Sequence, residues 1–248
     1  MKSGRDYATF LEVLATAIQK TPTLKGFDPA SIYTLAQQCR SLPKANPDWK
    51  YDLVMDFPRE SFKTVGLDKV RPKKRVKSFS VTLSIKAGGP YIPEKDSTLD
   101  ETINALDLNL ITKGYKFEKE VENDPASNIM CAWHLDIQPI GQLSPFAHPR
   151  FHWQYGGKKV WSNSKKWFGS HLLLVAPRLA HPPLDAILAI DFILSNYYAP
   201  TWQALQSDPT YSRVIATAQK LYWEPYYRAI ATGDWSSRKA LPFMYWPQ

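Results

Sequence analysis

Cysteine is nearly missing from this chain: Cys39 and Cys131 are the only two in 248 residues. They are far apart and form neither a disulfide framework nor a CxxC metal or redox motif. Cys39 falls in a predicted helix and Cys131 opens a predicted strand, so both read as small core residues. Glycine supplies only 11 residues, and no Walker-type loop, GxGxxG, GxSxG or HExxH pattern is present. Their absence removes the common signatures of nucleotide binding, serine hydrolysis and zinc proteolysis. Long apolar runs are missing as well. The most apolar, Leu184 to Leu194, is too short to span a bilayer and contains Asp185 and Asp191. The opening residues, Met1 to Asp6, lack the apolar core of a secretory signal. The expectation is a soluble protein of the reducing cytoplasm with no membrane partner.

What is there is apolar, aromatic and basic. Hydrophobic residues make up 44% of the chain and Trp occurs 9 times, which excludes a disordered polymer. The net charge of +8 is unevenly spread. Residues 1 to 88 carry 16 Lys/Arg against 8 Asp/Glu, residues 89 to 148 carry 4 against 10, and residues 149 to 248 carry 11 against 5. Basic ends around an acidic middle suit a polyanionic partner or a charged surface within a larger assembly; the plainer alternative is that the excess serves solubility.

Taken in order, residues 4 to 20 read as an amphipathic helix, with Tyr7, Leu11, Leu14 and Ile18 on one face. Asp28-Pro29 signals the start of a second helix that ends near Leu42. Trp49 to Phe57 reads as a strand. Phe79 to Ile85 alternates cleanly and reads as another. Leu106, Leu108 and Leu110 alternate up to Lys113-Gly114, which reads as a turn, with Tyr115 to Val121 returning as a hairpin. His171 to Val175 suits a last short strand. Leu184 to about Tyr198 reads as a buried helix. Asp208-Pro209 opens another, Tyr211 to Ala231, which Pro225 is expected to kink or break. The tail, residues 234 to 248, is apolar and aromatic enough to dock on the body or on a partner. Two helices, a block of strands and two more helices predict an α+β fold with a mostly antiparallel meander. The chain is expected to form a single domain over 1–248: helices over 4–42, sheet over 49–175, helices over 184–231 and an aromatic tail over 234–248.

The richest chemistry lies between Ile129 and Gly157. Trp133, Leu135 and Ile137 alternate with His134, Asp136 and Gln138; Phe151, Trp153 and Tyr155 alternate with Arg150, His152 and Gln154. Period-2 alternation predicts two half-buried strands. If they are antiparallel neighbours, their apolar faces must coincide. Gln138 opposite Arg150 then sets Asp136 opposite His152 and His134 opposite Gln154. All five histidines, His134, His148, His152, His171 and His181, fall within one window of the chain. With Asp136 they could form a transition-metal site, since imidazole and carboxylate are usual ligands, but their spacing matches no familiar zinc pattern and no metal or cofactor is assigned. The candidate catalytic residues are His134, Asp136, His148, Arg150 and His152, with histidines as acid and base and Arg150 steadying phosphate charge. The plainer alternative is the solvated face of an amphipathic sheet.

The loop before the late helices, Arg178 to Leu184, also has two readings. Asp185 can complement the helix dipole with His181 capping the approach, or the loop can bring Arg178 and His181 over the sheet face. Asp191, inside an apolar helix, should find an Arg, Tyr or His donor. Two basic segments suit nucleic acid. The run from Lys69 to Lys77 includes Lys73, Lys74 and Arg75. The loop over 158–170 interleaves Lys158, Lys159, Lys165 and Lys166 with Trp161 and Trp167, pairing charge with stacking surfaces.

The order helix, strand meander, His148-Pro149 and late helices loosely resembles that of ubiquitin-conjugating enzymes and their non-catalytic RWD relatives. That family carries Asn after the His-Pro and a catalytic Cys downstream. Here Arg150 follows, and no Cys follows Cys131. The resemblance therefore implies an inactive interaction domain. The residues themselves favour a nucleic-acid-binding protein, with a phosphodiesterase- or nuclease-like hydrolase activity on the His/Asp/Arg face. The rival is a non-catalytic scaffold or adaptor subunit that holds a protein partner through its aromatic loop and tail.

Overall fold

A computed structural model describes residues 4–42, 49–67, 76–89, 103–117, 130–138, 148–156, 178–232 and 244–245. Helices α1 (Gly4–Lys20) and α2 (Ala30–Arg40) come first. Strands β1 (Trp49–Ser61), β2 (Ser78–Gly89), β3 (Ala105–Tyr115), β4 (Met130–Ile137), β5 (His148–Pro149), β6 (Phe151–Tyr155) and β7 (Leu179–Ala180) follow. Helices α3 (Ala186–Tyr197), α4 (Ala199–Gln206) and α5 (Pro209–Thr232) come next, and the two-residue β8 (Met244–Tyr245) is last. The fold is α+β. Six strands form one antiparallel sheet in the order β1-β2-β3-β4-β6-β7, while β5 pairs with β8.

The register explains the layering. Leu53, Ile85, Leu108, Leu135 and Trp153 lie side by side across five strands, and Met55, Leu83, Leu110, Trp133 and Tyr155 form the next row. These rows make one apolar face, and helices from both ends of the chain pack on it. Tyr7 of α1 stacks on Tyr51, Phe57 on Tyr198, Trp153 on Phe192 of α3, and Phe151 meets Tyr226 of α5 edge-on. Helical and sheet side chains join in a single buried cluster. Burial of this apolar area is the main favourable term in folding.

Several expectations change. β3 does not turn at Lys113-Gly114. It runs on to Tyr115, with Gly114 directly across from the fully buried Phe79, so the glycine serves a strand beside a bulky ring. α5 runs through Pro225 as helix. The missing N–H takes one rung from the helix, but Leu221, Tyr222 and Tyr226 are buried around it and hold the segment in place. Among the described residues there are three late helices rather than two, because α4 forms between Tyr198 and Ser207. α2 begins at Ala30, one residue later than Asp28-Pro29 suggests, although the Asp28 carboxylate still accepts the Ala30 N–H at 2.9 Å. β1 tolerates Pro58 because the ladder slips between Phe57 and Glu60, at the sheet's outermost strand. Part of the apolar tail does meet the body, where Tyr245 pairs with His148 and Met244 with Pro149. The suggested strand over 171–175 lies outside the described residues.

Candidate functional site on the polar face of the sheet

The face turned away from the helices carries the polar member of each alternation. One row runs Asp52, Lys86, Asp107, Asp136, His152 and Ala180; the next runs Val54, Ser84, Asn109, His134 and Gln154. The β4–β6 pairing is one of those that matching apolar faces permit, and the expected one, with Asp136 opposite His152 and His134 opposite Gln154. Directly opposed side chains start about 5 Å apart at Cβ, and here they touch. His152 Nε2 lies 2.7 Å from Asp136 Oδ1, an oxygen out of contact with solvent. His134 Nε2 lies 3.7 Å from Asp136 Oδ2. One carboxylate is thus held between two imidazoles on neighbouring strands.

Donor–acceptor arithmetic fixes one proton of His152. His152 Nδ1 faces the Pro149 carbonyl at 3.0 Å, and a carbonyl only accepts, so Nδ1 carries hydrogen. Nε2 then faces a carboxylate oxygen at hydrogen-bond distance. His152 is wholly buried, whereas the Asp136 side chain is 39% exposed, so the pair reaches from the interior to the surface. Burial lowers the His134 pKa below the usual imidazole value, against the opposing pull of Asp136 and a hydrogen bond with Gln154. His134 is therefore neutral at pH 7.

Two like charges also stand opposite each other, Asp107 and Asp136. Such a pair is unfavourable unless relieved. Lys86 lies across from Asp107, whose carboxylate also accepts the Asn109 amide at 2.6 Å, while Asp136 takes the histidines.

The remaining candidates separate. Arg150 is buried, and its Nη1 donates to the Gln138 carbonyl, closing the open end of the β4–β6 pair. His148 is in β5, immediately before this segment; its side chain is outside the described residues. Lys73, Lys74, Arg75, Lys158, Lys159, Trp161, Lys165, Lys166, Trp167 and His171 also lie outside them. His181 does not join the cluster. Its ring sits against Trp153 and Phe192 on the helical side, its Nδ1 lies 2.6 Å from the Pro182 carbonyl, and burial lowers its pKa. Strand alternation explains the split: His181 falls in step with Phe151 and Trp153, Arg178 with His152 and Gln154. His181 also leaves the capping of α3 to Asp185, whose Oδ1 accepts the Leu188 N–H at 2.8 Å.

Sequence reasoning left Arg178 as one half of a choice, and the structure turns it towards the polar face. Burial lowers its pKa, against the opposing pull of the Asp136 charge. Among the described residues no three His, Cys, Asp or Glu side chains are grouped to hold a metal ion, and no helix is long and apolar enough to cross a membrane. No family model, curated protein or solved structure matches this chain.

Proposed function

We propose that the protein binds nucleic acid and that the polar face of its sheet is where a phosphodiester is bound and cleaved. The observation that carries this reading is the Asp136 carboxylate held between His152 and His134. Two imidazoles that share a carboxylate but differ in exposure can take different protonation roles. Neutral His134, at the surface end, is suited to remove a proton from an attacking hydroxyl. The exposed Oδ2 side of Asp136, anchored from behind by buried His152, is suited to hand a proton to the leaving oxygen. The basic segments around Lys73–Arg75 and Lys158–Trp167 supply the charge and the aromatic surfaces that a polyanionic chain requires.

Binding of single-stranded RNA and of duplex DNA should weaken steeply with salt. Replacing Lys73, Lys74 and Arg75 together with Ala should flatten the log–log slope by about 2 to 3 units if all three touch phosphates. Cleavage should depend on His134 in its neutral form, so the acid limb of the pH–rate profile should fall below about 6.5. A salt-insensitive affinity, with no cleavage of either nucleic acid, would sink this reading and leave a protein-binding scaffold in its place.

A further inference from the structure

We propose that Arg178 is an oxyanion-binding residue, and that His134, Gln154 and Arg178 form the floor of a site for one phosphate group at the β7 edge of the sheet. The proposal rests on the phosphodiester reading above and names the group that would hold the phosphate. Ladder arithmetic places Arg178. His152 pairs with Ala180 and Trp153 with Leu179, and the His181 N–H donates to the Phe151 carbonyl. One step further along the same ladder sets Arg178 beside Gln154, which is itself opposite His134. The three side chains therefore continue a single row on the polar face.

The chemistry of Arg178 points to a ligand. Its Nε and Nη1 are out of solvent contact and have no hydrogen-bond partner among the described residues. Buried polar groups are almost always satisfied, and an arginine never sheds its proton to escape the cost. Asp136 attracts it through space, but the buried oxygen of that carboxylate is committed to His152. Asp107, the carboxylate across from Asp136, accepts from Asn109. The planar guanidinium suits phosphate oxygens, and remaining oxygens of the same phosphate could meet His134 and Gln154. Among the described residues β7 ends the strand order on this side, and exposed Ala180 offers only a methyl beside His152.

The test uses the full chain and inorganic phosphate, with potassium chloride holding ionic strength constant and acetate as the carboxylate control. The melting temperature should rise with phosphate concentration, as it must when a ligand binds only the folded state. The ring-proton NMR signal of His134 should move over the same range. Arg178→Gln should weaken phosphate binding by about tenfold to a hundredfold, and Arg178→Lys should fall between. Should Arg178→Gln fail to fold, the wild-type His134 signal still decides: no movement with phosphate overturns the proposal. Equal phosphate binding by wild type and Arg178→Gln, or equal responses to phosphate and acetate, would overturn it too. Arg178-dependent phosphate binding without nucleic-acid cleavage would keep this site and sink the phosphodiester reading. Cleavage that is indifferent to Arg178→Gln would do the reverse.

Discussion

Asp185 and Asp136 are both carboxylates drawn into the fold, one under the helices and one on the opposite face, and their surroundings differ in kind. Asp185 is wholly buried. Its Oδ1 accepts the Leu188 N–H at 2.8 Å and its Oδ2 accepts the Tyr7 hydroxyl at 2.7 Å. Beside it, the Ala186 N–H donates to the Tyr51 hydroxyl at 2.8 Å. Its donors are neutral, and desolvation wins over them, so its pKa is raised to about 6. The same burial pushes the Cys39 thiol up to about 12 and raises Tyr7, Tyr51 and Tyr222 well above the usual phenol value. Asp136 is part-exposed, and its neighbours are ionisable: two imidazoles and, at longer range, a guanidinium. A carboxylate closed off by phenols and backbone N–H groups can stabilise a helix start, but no solute reaches it. A carboxylate shared among titratable groups at a surface can exchange protons with one.

Substitutions at the two sites should separate these roles. The largest effect is expected on rate. Asp136→Asn should slow nucleic-acid cleavage by about a hundredfold to ten-thousandfold, while Asp185→Asn leaves the rate per folded molecule unchanged. Equal losses in both would erase the distinction. Stability should respond in the opposite sense. Asp185→Ala removes the α3 cap and strands the Tyr7 hydroxyl, which should cost about 3 kcal/mol in denaturant titrations. The pH dependence carries a sign. Because the folded-state pKa of Asp185 lies above its ordinary 3.8, its contribution favours folding at low pH and is lost as pH rises towards about 6. Asp185→Asn should remove that slope; an unaltered slope would mean the carboxyl is not buried.

Asp191 offers an intermediate case on the helical side. It accepts from the Tyr211 hydroxyl at 2.6 Å and from Trp202 Nε1 at 3.0 Å, so a tyrosine is among its donors as the sequence suggests. Asp191→Ala should cost about 2 kcal/mol by leaving both unpaired, and a loss within error would show that water replaces the carboxylate. The smallest effect belongs to the exposed Asp52–Lys86 pair at 3.1 Å, at the far end of the Asp136 row. Lys86→Ala should shift stability by no more than about 0.5 kcal/mol. A larger change would mean that charge along the row acts collectively.

The polar face was readable in the sequence because strand alternation is a local property. Once Trp133 and Trp153 are assigned to one face, His134, Asp136, His152 and Gln154 must share the other, which fixes the parity of the pairing and leaves the exact partner to the structure. The Asp185 cluster was not readable. Tyr7 and Asp185 are 178 positions apart, and nothing near either residue announces the other. The local signal at Asp185 is only that of a helix cap, and burial comes entirely from the layer above. The same limit explains Pro225 and Gly114. Each is a breaker by local rules, and each is overruled by long-range packing, of Tyr222 and Tyr226 in one case and of Phe79 in the other. His181 and Arg178 show parity working again, since a three-residue separation in extended chain sends them to opposite sides.

The joining of α1 to the late helices has a consequence for biosynthesis. The apolar face of the sheet is covered from both ends of the chain: Tyr7 reaches Asp185, and the Thr23 hydroxyl reaches Thr201 at 3.0 Å. A ribosome adding about 5 to 20 residues per second has made α1 and the meander for several seconds before α3 to α5 emerge. During that interval the nascent chain presents a sheet with one greasy side and only part of its cover. Strand-to-strand hairpins can form as they appear, but closure waits for the last quarter of the polypeptide. A truncation before α3 should therefore leave the apolar side of the sheet exposed and the chain prone to aggregate.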